Sequence, residues 1–80
     1  MNNTLVNTYT LEADCVTDAD GFIGSCLERS IPISVVIFQF KSDKNDVTMQ
    51  FETTLTKEAV IEILKKQPNS KRMLNSLKGN

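Results

Sequence analysis

Apolar positions along this chain follow different rhythms, and each rhythm predicts an element. From Leu5 to Ala13 they partly alternate, with Leu5, Asn7, Tyr9, Leu11 and Ala13 sharing one side, which predicts a strand over residues 5–13. Ile31 to Phe40 is the clearest strand. Pro32 stands at its start, where a missing backbone donor does least harm. Strict alternation places Ile33, Val35 and Ile37 on one face and Val36, Phe38 and Phe40 on the other, so both faces are apolar, as in a central strand covered on both sides. After the polar turn over residues 41–46, Val47 to Thr54 alternates cleanly, with Val47, Met49 and Phe51 inward and Thr48, Gln50 and Glu52 outward. The two runs predict a β-hairpin with a loop of roughly five residues.

The period then changes from two to that of a helix. Thr56 is a good N-cap, Leu55 can pack on Val60 as a hydrophobic staple, and Ala59, Val60, Ile63 and Leu64 form an apolar stripe. Glu62 and Lys66 are placed for an i,i+4 ion pair. Pro68 ends or kinks this helix. Asn69 or Ser70 can cap a second short helix that buries Met73, Leu74 and Leu77 and stops before Gly79. Between the first two strands, residues 14–30 gather Asp, Gly and Ser and read as irregular. The expected fold is one small α+β domain over residues 1–80. Its sheet is three-stranded and antiparallel in the order β-loop-β-β, and two short C-terminal helices pack on one face. Such helices leave the second face of the apolar strand uncovered. Two solutions present themselves: the 14–30 loop folds over it with Phe22, Ile23, Cys26 and Leu27 as a plug, or the chain self-associates through it.

Length sharpens the picture. An 80-residue chain buries roughly 60% of the surface its unfolded form exposes, too little to wrap a large cofactor as well as a core. Apolar content of 40% and charged content of 24% are those of a folded domain. The longest apolar run is too short to span a bilayer and the first residues carry no signal-peptide pattern, so a cytoplasmic, membrane-free protein is expected. Cys15 and Cys26 are then expected as thiols, serving as small apolar residues.

Charge is divided unevenly. Residues 1–30 sum to −4, residues 31–64 to −2 and residues 65–80 to +5, within a net charge of −1. Polarised surfaces of this kind steer partners.

Candidate chemistry is thin. Residues 17–23, Thr-Asp-Ala-Asp-Gly-Phe-Ile, share the alternating acids and glycine of an EF-hand loop. The first ligand position, however, falls on Val16 and the twelfth on Leu27, so Asp18 and Asp20 read as an acidic turn and no metal is expected. Two thiols without a histidine leave a zinc site half empty. The glycines fit no phosphate loop. No histidine is present as a general base, and Cys15 stands beside an acid, Asp14. No catalytic residue and no cofactor is expected.

These features point to a module that works by binding, not to an enzyme: a protein-interaction domain that binds a larger protein and modulates or inhibits it. Its size and makeup are common among accessory proteins of phages and mobile elements. The candidate partner-binding residues are Lys65, Lys66, Lys71 and Arg72 on the basic helices, Asp18 and Asp20 in the acidic segment, and Phe38 and Phe40 on the two-faced strand. A homodimer is a further expected assembly. The alternative is a nucleic-acid-binding protein using the basic helices, although every aromatic side chain lies outside that segment.

Overall fold

A computed structural model describes residues 6–40 and 45–79. The fold is α+β, with a four-stranded antiparallel sheet and three helices. The elements run β1 (Asn7–Ala13), α1 (Val16–Glu28), β2 (Ile33–Phe40), β3 (Val47–Thr53), α2 (Lys57–Lys65), α3 (Lys71–Ser76) and β4 (Lys78–Gly79). Across the sheet the order is β2-β3-β1-β4. Leu5 and the tip of the β2–β3 turn, residues 41–44, lie outside the described residues. Among the described residues no helix is long and apolar enough to cross a membrane.

The central strands are the two that alternate cleanly. β1 and β3 pair from Asn7↔Thr53 to Ala13↔Val47, and their odd-numbered residues from Tyr9 and from Val47 onward are buried. Tyr9, Leu11, Ala13, Val47, Met49 and Phe51 form one side of the core, with Phe22 and Cys26 of α1, Val60, Ile63 and Leu64 of α2, and Met73 of α3 opposite. The even-numbered residues of both strands, Thr, Gln and Glu, make the polar outer face.

Residues 16–28 are helical, not irregular, which is the largest departure from the sequence expectation. Two glycines and four Asp, Thr or Ser residues make this a poor intrinsic helix former, each glycine costing about 1 kcal/mol against alanine. Burial overrides that preference: Ala19, Phe22 and Cys26 stand at i, i+3 and i+7 and are wholly buried against the sheet. Gly21 has a packing reason, because a Cβ there would stand 3.3 Å from Gln67 Oε1, while Gln67 Nε2 donates to Ser25 Oγ at 2.7 Å. The helix ends in a Schellman motif, with Ile31 N–H donating to the Cys26 carbonyl and Ser30 N–H to that of Leu27. Ser30, at φ 58°, holds the left-handed position that glycine ordinarily fills. The expected plug is therefore a helix, with Phe22 and Cys26 buried on the same side as α2 and Leu27 turned to solvent. Cys15, at its N-cap, and Cys26 are free thiols. Eleven residues along a helix separate their backbones by about 16 Å, well beyond disulfide reach.

β2 is an edge strand, not the central one. Its two apolar faces come from a bulge. The register runs Ile33↔Thr53 and Val35↔Phe51, then slips by one residue to Ile37↔Gln50, Phe38↔Met49 and Phe40↔Val47. The extra residue reverses the alternation. Ile33, Val35, Phe38 and Phe40 consequently all lie on the helix side of the sheet, and Ser34, Ile37 and Gln39 on the outer side. Phe38 and Phe40, neighbours on that side, meet edge to face at 5.9 Å.

The C-terminal half follows its signals closely. Thr56 Oγ1 accepts from Ala59 N–H at 3.3 Å, capping α2, and the Leu55 carbonyl accepts from Tyr9 Oη at 2.8 Å and Asn7 Nδ2 at 2.9 Å. Glu62 meets Lys65 at 3.6 Å rather than Lys66. The two residues after Leu77, the C-cap of α3, form β4, an element with no signal of its own in the sequence. Gly79, at φ 139°, is the reason β4 can lie against β1: a Cβ there would collide with the Thr8 carbonyl oxygen and stand 2.8 Å from Tyr9 Cδ1. Gly79→Ala is expected to release β4, read as fast hydrogen exchange of the Thr10 amide, which faces Lys78, while the β1–β3 amides remain protected.

Candidate protein-docking edge

The two edges of the sheet are treated differently. On the β1 side, β4 pairs through Tyr9↔Gly79 and Thr10↔Lys78. Beyond it α3 takes over: Ser76 Oγ accepts from Glu12 N–H at 2.7 Å and donates to the Arg72 carbonyl, also at 2.7 Å. Arg72 fixes α3 at this end, reaching Glu12 at 2.9 Å, Asp14 at 3.3 Å and Asp46 at 2.7 Å. Hydrogen bonding to Glu12, then to Asp46 and Asp14, raises the guanidinium's pKa still further above its ordinary value.

On the β2 side, among the described residues, no strand or helix covers the edge. Val35, Val36, Ile37, Phe38 and Phe40 are exposed, from 39% at Phe38 to 62% at Phe40. The strand, Ile-Ser-Val-Val-Ile-Phe-Gln-Phe, carries no charge and no internal proline. Exposed edges of soluble proteins are ordinarily guarded by lysine, proline or burial. Five large apolar side chains exposed along one edge strand are the kind of feature that marks interaction sites on monomers.

A groove of about 170 Å3 runs between α1 and this strand, lined by Asp20, Ile23, Val35, Phe38 and Met49. Packing explains it. α1 is seated over β1 and β3 by Phe22, whose ring lies 5.3 Å from that of Phe51, so the helix-side residues of β2 extend past its flank. Thr53 ties the base of β2 to β3, its Oγ1 donating to the Pro32 carbonyl at 2.6 Å.

The expected binding residues separate into distinct groups. Phe38, Phe40 and Asp20 are brought together at the β2 edge and its groove. Asp18 and Asp20 stand on a helix, so the acidic turn expected there does not form. Among the described residues no cluster of three metal-ligating side chains occurs. Lys65, Lys66 and Lys71 are exposed on α2 and α3, away from the edge. Arg72 is engaged by three carboxylates, two of them from the acidic half of the chain. Val36, Ile37, Ile23 and Met49 were not candidates from sequence. For Val36 and Ile37 the uncharged run 33–40 was the signal, and it pointed to core instead; Ile23 and Met49 had none. No protein-family model, no curated protein and no solved structure matches this chain.

Proposed function

We propose that this chain is a non-enzymatic protein-binding module that docks through its β2 edge on a larger protein and thereby modulates or inhibits it. One observation carries the reading: among the described residues an uncharged apolar edge strand stands open, while the opposite edge of the same sheet is closed by β4, α3 and the Arg72 ion pairs. Closing one edge and leaving the other bare is what a sheet built to accept a partner requires. The nucleic-acid alternative is weakened because Arg72, the best phosphate ligand of the basic segment, already holds Glu12, Asp14 and Asp46.

A photo-crosslinking side chain placed at Ile37, and separately at Lys66, tests the reading in cells that make the protein. Residue 37 is expected to give an adduct with a larger protein, and residue 66 to give at least tenfold less. Adducts from residue 66 alone, or adducts with nucleic acid, would move the active surface to the basic helices.

A further inference from the structure

We infer that in the absence of its larger partner the β2 edge is closed by a second copy of this chain. The two β2 strands pair antiparallel about a two-fold axis that falls between Val36 and Ile37, joining two four-stranded sheets into one of eight. The inference rests on the reading of β2 as a docking edge and adds an occupant to it.

Self-pairing of a strand about a two-fold axis normal to the sheet has a strict condition. Residues brought opposite one another must lie on the same face, because the axis carries each face onto itself. In this register Ile33 meets Phe40, Val35 meets Phe38 and Ser34 meets Gln39 of the copy. A regular strand would fail the test, since each of those pairs combines an odd with an even position. The bulge between Val35 and Ile37 corrects it. Ile33, Val35, Phe38 and Phe40 all share the helix side, and Ser34 and Gln39 the outer side. Apolar residues therefore meet apolar ones and the two polar residues meet each other. No charge lies in either strand, so no like-charge pair opposes the contact. Pro32, which has no backbone N–H to offer, ends the ladder just outside Ile33.

The groove supports the same occupant. Phe38 of the copy, set opposite Val35, lies at the mouth of the hollow formed by Asp20, Ile23, Val35, Phe38 and Met49. The assembly also stops at two. Each copy's other edge is closed by β4 and α3, so the contact is isologous and no filament follows. Five exposed side chains a side place the buried area at the low end of stable interfaces. The expected association is therefore weak, with a dissociation constant on the order of micromolar, which lets a larger partner compete for the edge.

Light scattering at graded concentrations tests this. At about 200 µM, well above a micromolar constant, the mass is expected to be twice 9.0 kDa, and on dilution to fall toward 9.0 kDa. Ile37 faces outward near the axis, so Ile37→Lys and Ile37→Glu are each expected to remain at 9.0 kDa throughout, with unchanged far-UV circular dichroism. Mixed in equal amounts they are expected to recover the doubled mass. Should either fail to fold, the double variants Ser34→Lys/Gln39→Lys and Ser34→Glu/Gln39→Glu serve in the same way, because residue 34 meets residue 39 of the copy. A wild-type mass of 9.0 kDa at every concentration overturns the inference, as does a lysine variant that dimerises undiminished, or a mass that climbs past two copies. A wild-type monomer whose residue 37 still crosslinks to a larger protein sinks self-pairing and leaves the docking edge standing. A monomer without that crosslink sinks both.

Discussion

Phe22→Ala is expected to destabilise the protein by about 3–5 kcal/mol, the range for removing a fully buried phenyl ring. The ring is wholly buried and lies 5.3 Å from Phe51, which itself lies 5.7 Å from Tyr9. The three side chains come from α1, β3 and β1, so one file of aromatics spans the core and fixes the helix over the sheet. A protein of this size has a total stability of about 4–12 kcal/mol, so the variant is left marginal or unfolded at room temperature. Urea denaturation followed by circular dichroism at 222 nm measures the loss. Leu27→Ala on the opposite side of the same helix is the control. Leu27 is 61% exposed and its loss is expected to cost less than about 0.5 kcal/mol. A loss below about 1 kcal/mol at Phe22 would mean that α1 is not seated on the sheet.

The contrast between those two residues shows where the sequence is legible and where it is not. β1, β3, α2 and α3 can each be read locally because burial follows a single period within each. In α1 two local signals conflict. Its Asp, Gly and Ser content favours a loop, while Ala19, Phe22 and Cys26 keep helical spacing, and only the sheet beneath them decides in favour of the helix. β2 misleads for a different reason. Its apolar residues were assigned to two faces by strict alternation, and one bulge at Val35/Ile37 moves Phe38 and Phe40 to the helix side. Pairing order is also invisible locally. β4, two residues at the end of the chain, occupies the place beside β1 that would otherwise be an edge. Long-range electrostatics hide in the same way. Arg72 reads as part of a basic patch until Glu12 and Asp14, some 60 positions earlier, are found beside it. Within the candidate site, the sequence offered an uncovered face of β2 for Phe38 and Phe40, but not that their exposure arises at a sheet edge on the helix side.

Cys26 is expected to resist alkylation by a factor of at least about 10^3 relative to the unfolded chain, while Cys15 reacts in the native state. Cys26 lies in the core beneath α1, whereas Cys15, at the N-cap, is half-buried. Alkylation needs a thiolate that the reagent can reach. Burial pushes the Cys26 thiol above its ordinary value near 9, and the nearby Arg29 charge only partly offsets this. Both requirements are therefore met only when α1 lifts or the whole domain unfolds, and the modification rate follows the open population. Iodoacetamide followed by mass spectrometry is expected to add one label quickly and the second only in denaturant, and in Phe22→Ala both quickly. The pH dependence has a defined sign. Tyr9 is likewise raised from its ordinary 10, by burial, then by the Glu58 charge, with the Asn7 hydrogen bond opposing. Each group keeps its proton in the folded state at a pH where the unfolded chain loses it. The stability they contribute is full below pH 9 and declines as the pH climbs through 9 and 10. The urea midpoint is accordingly expected to fall between pH 8 and pH 10.5, with Cys26 labelling speeding up beyond what thiolate formation alone provides. Equal labelling rates for the two thiols in the native protein would mean that the buried stripe of α1 is open to solvent, and the file from Phe22 to Tyr9 would fall with it.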